Sequence, residues 1–204
     1  MSLLSVEHLS HGFADKELYE DANFELNKED HMGIVGQNGA GKSTLIKILT
    51  GENLPDKGRI VWQNKVTYGY LDQYADIPKE DTLYEFLTTA YAELFRQRDL
   101  MEKYYADYAE NLDDKLLEKA GRIQENLDAN NFYDIDTEIN RVMTGLGLDD
   151  IGKDHIVSQM SGGQRSKIIL AKLLLQNPDV LILDEPTNYL DTAHISWLAD
   201  YLNN

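Results

Sequence analysis

Lysine and serine stand side by side at positions 42 and 43, preceded by glycines at 36, 39 and 41. The run Gly36-Gln37-Asn38-Gly39-Ala40-Gly41-Lys42-Ser43-Thr44 follows G-x-x-x-x-G-K-[ST], a loop whose backbone N–H groups wrap the phosphates of a nucleotide. Lacking Cβ atoms, the glycines let the main chain approach the anion and turn where side chains would collide. Lys42 would place a point charge on the β- and γ-phosphates, and Ser43 would offer its hydroxyl to Mg2+. A second chemical pair, Asp184-Glu185, closes the apolar run Val180-Leu181-Ile182-Leu183. Asp184 suits Mg2+ coordination through the ion's outer ligands. Glu185, just outside the strand end, suits orienting and deprotonating an attacking water.

These residues need elements to hold them. Met32-Gly33-Ile34-Val35 predicts a buried strand leading into the loop, and Ser43 to Leu49 predicts a helix whose N-terminus faces the phosphates. Ser161-Gly162-Gly163-Gln164 opens a helix predicted to run from Gln164 to Gln176. A hydroxyl and backbone N–H groups at a helix N-terminus can bind an anion. Residues 1–35 alternate short apolar runs with polar turns, as in Leu4 to Leu9 and Asn23 to Leu26, which predicts strands. Gly58 to Trp62 and Val66 to Leu71 continue that pattern around a turn at Asn64, and Gln73 follows directly. An amide there can reach a metal ion or a γ-phosphate.

Between Gln73 and Ser161 the chain reads as helical: Leu83, Phe86, Leu87, Ala90 and Leu94 fall at helical spacing, as do Leu112, Leu116, Ala120, Ile123 and Leu127. Residues 99–136 hold eleven acidic and four basic side chains. Tyr91, Tyr104, Tyr105 and Tyr108 therefore lack the interleaved cations of a base-stacking surface, and helix packing explains them better. The final helix is predicted over Asp191 to Leu202, with Ile195, Leu198 and Leu202 on its inner face.

Composition narrows the class. The chain has 204 residues, enough for one substantial core or a domain with an inserted subdomain. Its net charge of −17 works against non-specific binding of nucleic acid and fits a dissolved protein. No apolar run approaches eighteen residues, and Met1 to Glu7 lacks the basic start and apolar core of a signal peptide. The absence of cysteine excludes disulfides and thiolate metal sites and fits a cytoplasmic location.

In their order the motifs resemble those of the ATP-binding cassette (ABC) superfamily, over nearly the whole chain. The resemblance implies an α/β P-loop ATPase cassette with an N-terminal antiparallel β subdomain and an inserted α-helical subdomain. It implies ATP and Mg2+ as cofactors and assigns Phe13 to stacking on adenine. Gly36, Asn38, Gly39, Ala40, Gly41, Lys42, Ser43 and Thr44 would surround the phosphates. Ser43, Gln73 and Asp184 would serve the metal, and Glu185 with Gln73 the catalysis. Ser161, Gly162, Gly163 and Gln164 form the signature, and Asn188-Tyr189-Leu190-Asp191 the D-loop. In such ATPases two cassettes meet head to tail, each ATP lying between the P-loop of one and the signature of the other. The expected partner is thus a second cassette, in the same full-length chain or a dimer partner, and this chain alone is expected to hydrolyse ATP weakly or not at all.

Within the superfamily, Thr187-Asn188 before the D-loop resembles the ABC-F group, where transporter cassettes more often have Thr-Ser. Tyr189 departs from the His or Asn often found there, and Phe13 replaces a tyrosine while keeping its stacking face. Residues 95–130 resemble the arm of an ABC-F first cassette, and Thr144 to Leu148 the loop after it. The expected division is an ATP-binding core of 1–73 with 161–204 and a helical subdomain of 74–160. None of the five histidines fits a switch histidine beyond Asp184, so the chain reads as a first cassette truncated within a longer protein. Two functions follow from these motifs. One is an ABC-F ATPase whose nucleotide state governs engagement of a ribosome; the alternative is the ATPase subunit of a membrane transporter, docked on a permease. A metabolic P-loop kinase has no use for the Ser161–Gln164 signature.

Overall fold

In a computed structural model of the chain, which describes residues 2–13, 16–71 and 78–203, the N-terminal alternation becomes two long antiparallel strands. They are β1 (Ser2–Phe13) and β2 (Lys16–Asn27). Leu4, Val6, Leu9 and His11 of β1 point inward. That series is a period of two with one extra residue, and the skipped step falls at His8, whose φ of 52° lies in the left-handed region. A bulge there returns the following residues to the core face. β3 (Lys57–Trp62) pairs with the other edge of β1, giving the order β2-β1-β3. Helix α1 (Lys42–Leu49) lays Leu45, Ile48 and Leu49 against Leu4, Val6 and Leu9. The Trp62 indole donates to the Leu49 carbonyl at 3.1 Å and stacks on Tyr68, centroids 4.8 Å apart.

The strand that ends at the paired carboxylates is β5 (Val180–Ile182), parallel to β4 (Tyr68–Tyr70). Asp179 fastens the pair, accepting from the Thr67 N–H and the Thr67 hydroxyl, each at 2.8 Å. The N–H first, then the hydroxyl, hold its carboxyl below the usual carboxylate range. These elements form one compact unit, Met1–Leu71 with Pro178–Glu185; a second comprises Asp72–Asn177 with Pro186–Asn204.

One expectation is corrected. Met32-Gly33-Ile34-Val35 is not a buried strand: residues 31–37 carry no assigned secondary structure and Val35 is 93% exposed. An apolar run becomes a strand only when a neighbouring edge takes its N–H and C=O groups. β4 and β5 pair with each other as a two-stranded sheet, and among the described residues neither edge takes up residues 32–35.

In the second unit, Thr82 and Glu85 form a reciprocal capping box that starts α2 (Leu83–Thr88). α3 (Ala92–Asn111) and α4 (Asp114–Ala129) make a helical hairpin. Leu112, with φ of 52°, turns the chain, and Asp113 caps α4 by accepting from the Lys115 N–H at 3.0 Å. Met101, Ala120 and Leu127 are buried along these helices, and Phe95 meets Phe132 edge-on at 5.1 Å. Tyr104 lies under the Lys119 ammonium at 5.5 Å. Tyr91 is half-buried, and burial, then Glu138, pushes its hydroxyl up to about 12. These two rings are taken up in packing.

α5 (Ile135–Gly145), α6 (Gly162–Leu175) and α7 (Thr192–Leu202) complete the unit. α5 and α7 meet at a glycine. The Trp197 ring of α7 rests directly on Gly145, where an added Cβ would come within 1.9 Å of Trp197 Cε2. The same helices share a second contact, the Arg141 guanidinium 4.7 Å over the Tyr201 ring. Gly145→Ala is expected to cost about 1–3 kcal/mol by overpacking, lowering the denaturant midpoint at unchanged slope. A midpoint equal to wild type would show that the ring yields freely. Among the described residues, no helix is long and apolar enough to cross a membrane.

Candidate functional site

The glycine-rich loop stands between β2 and α1. The Ala40 N–H donates to the Gln37 carbonyl at 3.1 Å, closing a tight turn. Gly39 and Gly41 then take φ of 77° and 102°, which favours glycine at both positions. Gly41 is constrained twice, since a Cβ there would also come within 2.5 Å of the Tyr19 hydroxyl oxygen. It is the N-cap of α1, so the helix start is fixed by the loop rather than by a capping side chain.

Two side chains of β2 brace this loop. Tyr19 donates its hydroxyl to the Gly41 carbonyl, and Lys16 donates to the Gly39 carbonyl at 2.6 Å. Burial raises the Tyr19 hydroxyl above its ordinary range, which keeps it a donor. Sequence reasoning missed both residues. No motif marks them, because their partners lie more than twenty positions away. Lys42 folds back over the loop, its ammonium 2.9 Å from the Gly36 carbonyl and 3.4 Å from that of Gln37. The cation is thereby held against the turn.

Two of the three residues predicted to serve a metal, Ser43 and Asp184, meet. Ser43 donates its hydroxyl to Asp184 Oδ2 at 2.7 Å, across 141 positions of chain. A hydroxyl and a carboxylate in contact offer the oxygen ligands that Mg2+ prefers. Among the described residues no cluster of three or more His, Cys, Asp or Glu could hold a metal unaided. Glu185 follows at φ of 45°, an exposed carboxylate on left-handed backbone at the strand end. Phe13 closes β1 with its ring 54% exposed, a free face for stacking.

Ser161 and Gln164 lie in the second unit and form a capping box at the head of α6. The Ser161 hydroxyl oxygen accepts from the Gln164 N–H at 3.4 Å, and Gln164 Oε1 accepts from the Ser161 N–H at 2.8 Å. With its oxygen accepting, the hydroxyl can still donate its own proton. Gly162 and Gly163 begin the helix with open space where side chains would stand. Asn188 and Tyr189 belong to a 3-10 turn, Pro186–Tyr189, and Asp191 caps α7 by accepting from the His194 N–H at 3.0 Å. That N–H chiefly holds the Asp191 carboxyl below its ordinary range. Gln73 lies outside the described residues.

Comparison with known proteins matches residues 19–188 to the family described as ABC transporter. The chain is 46% identical over 205 residues to the uncharacterized ABC transporter ATP-binding protein YfmM of Bacillus subtilis, covering 99% of this chain and 40% of that protein. It is 35% identical over 175 residues to the energy-dependent translational throttle protein EttA of Escherichia coli, covering 85% of this chain and 31% of that one. Among solved structures, the ATP-binding subunit of an ABC transporter superposes with a TM-score of 0.69 at 22% identity, covering 99% of this chain and 74% of that chain. The chain thus spans less than half the length of these two curated relatives.

Proposed function

Because this chain belongs to the ABC transporter family of ATP-binding cassettes, we propose that it binds Mg-ATP at the 36–44 loop and contributes to ATP hydrolysis. The fold is the α/β cassette, with an N-terminal antiparallel sheet and a helical region. The observation that carries the reading is the Ser43–Asp184 hydrogen bond, which unites the phosphate loop with the carboxylate strand.

In this reading the N–H groups from Gly36 to Thr44, Asn38 and Ala40 among them, cradle the phosphates. Lys42 leaves the carbonyls of Gly36 and Gln37 for the β- and γ-phosphates. Mg2+, when bound with the nucleotide, neutralises charge developing on the phosphate oxygens. Ser43 and Asp184 hold the ion, and Gln73 is assigned to it on the family pattern alone. Glu185 orients the attacking water and takes its proton. Ser161, Gly162, Gly163 and Gln164, with Asp191, serve the nucleotide of a second cassette. Turnover by this chain should therefore depend on that partner; a rate per molecule independent of protein concentration would argue against a shared site.

The full-length protein is proposed to be a cytoplasmic ABC-F ATPase that engages the ribosome. Three features support this: Thr187-Asn188 before the D-loop, the α3–α4 hairpin in the position of an arm, and likeness to a translational throttle protein. Its ATP-binding core is proposed as 1–73 with 161–204, and its helical subdomain as 74–160. The alternative is a transporter subunit docked on a permease. Co-sedimentation of the full-length protein with purified ribosomes decides between them. Enrichment in a non-hydrolysable ATP analogue over ADP supports the ribosome reading. Binding to membranes with indifference to ribosomes transfers the function to the permease reading.

A further inference from the structure

Among the described residues, His11 is the one polar side chain in the buried class, 8% exposed. It stands two positions before Phe13, and the rings meet edge to face, centroids 5.0 Å apart and planes at 81°. Behind it, Asp56 Oδ2 lies 3.3 Å from His11 Nδ1. Asp56 is itself tied to the strand: its carboxylate accepts from the Gly12 N–H at 2.9 Å, and its N–H donates to the Ser10 carbonyl at 3.0 Å. Residues 10–12 are thus gripped from one side, and the imidazole is wedged between that grip and the Phe13 ring.

A histidine kept only to fill space is a poor choice here. Nε2 makes no hydrogen bond among the described residues and Nδ1 has only the Asp56 carboxylate at 3.3 Å, outside hydrogen-bond geometry, so an apolar side chain of that volume would avoid desolvating the ring. What imidazole supplies and a branched aliphatic cannot is a flat, polar edge against an aromatic face. Phe13 needs such a support. Half-exposed at a strand end, its ring would otherwise lose rotamer freedom each time it stacked on a base.

We propose that His11 is a positioning residue that holds the Phe13 ring in the orientation that receives the base of the nucleotide. The inference rests on the nucleotide-binding reading of the phosphate loop and on the assignment of Phe13 to the base. His11 itself touches no nucleotide in it. Its effect is confined to the base end of the ligand and leaves the phosphate end alone.

Calorimetric titration of the chain with ATP and with inorganic tripolyphosphate separates the two ends. His11→Leu keeps the volume and burial but removes the flat edge. It should weaken ATP about three- to tenfold and leave tripolyphosphate unchanged. His11→Phe, which restores an edge, should recover wild-type ATP affinity. In a Phe13→Ala background, His11→Leu should add no further loss. Equal ATP affinity of wild type and His11→Leu would overturn the proposal, as would an equal loss for both ligands, the mark of a merely structural residue. Should the leucine variant fold poorly by thermal melting, His11→Val, smaller and likewise without a flat edge, takes its place with the same expected pattern. A wild-type chain that binds neither ligand would overturn the nucleotide reading and this inference with it. A wild type that binds ATP, beside an unaffected variant, overturns this inference alone.

Discussion

Glu185→Gln, in the protein with its second cassette, is expected to retain ATP and lower turnover by about two to four orders of magnitude. The amide nearly matches the carboxylate in shape, so the ground-state complex survives, but it accepts no proton from water. Its position supports the choice of residue. Glu185 follows Asp184 directly, and its left-handed backbone turns the chain away from β5. Such a conformation disfavours most side chains by about 1–2 kcal/mol, a cost that packing elsewhere must offset. Glutamine inherits the same backbone demand, so the substitution isolates the chemistry. Phosphate release and nucleotide retention on a filter measure the two effects. Release at the wild-type rate would remove Glu185 from the role of base. If release falls, the ATP-bound pair of cassettes should persist and give the strongest sedimentation signal with its target.

Lys42→Ala is expected to weaken ATP binding about tenfold or more, the loss of a charge-assisted contact worth about 1.5–3 kcal/mol. The ammonium already lies on the loop, bonded to the carbonyls of Gly36 and Gln37. Binding exchanges those neutral acceptors for phosphate oxygens, so little ordering of the side chain remains to be done at that moment. Adenosine, which has no phosphate, should bind the variant and the wild type alike. Calorimetry with both ligands tests this, and undiminished ATP affinity in the variant would remove Lys42 from the phosphate site.

The residues that could be read from sequence are those whose geometry is local. Gly39 and Gly41 stand in left-handed backbone that favours glycine, and three to five residues of context encode that requirement. Ser161 and Gln164 read as the head of a helix, and their reciprocal bonds span a single turn. What was not legible depends on distant partners. Met32 to Val35 has the composition of a buried strand, yet strand formation is decided by an available edge, which composition does not report. β1 runs for twelve residues with a bulge at His8, a break in register that the alternation over residues 1–35 does not report. The brace of Tyr19 on Gly41 joins residues 22 positions apart, and only the folded sheet brings them together.

The contact between Trp197 and Gly145 bears on how motion travels within the second unit. Packed interiors resist compression, so a ring seated on a backbone with no intervening side chain transmits displacement instead of absorbing it. α7 is capped by Asp191, and the 3-10 turn that leads into α5 holds Phe132, which meets Phe95 in the hairpin. Arg141 lying over Tyr201 gives the two helices a second point of hold. A displacement of α7 is therefore expected to carry α5 with it.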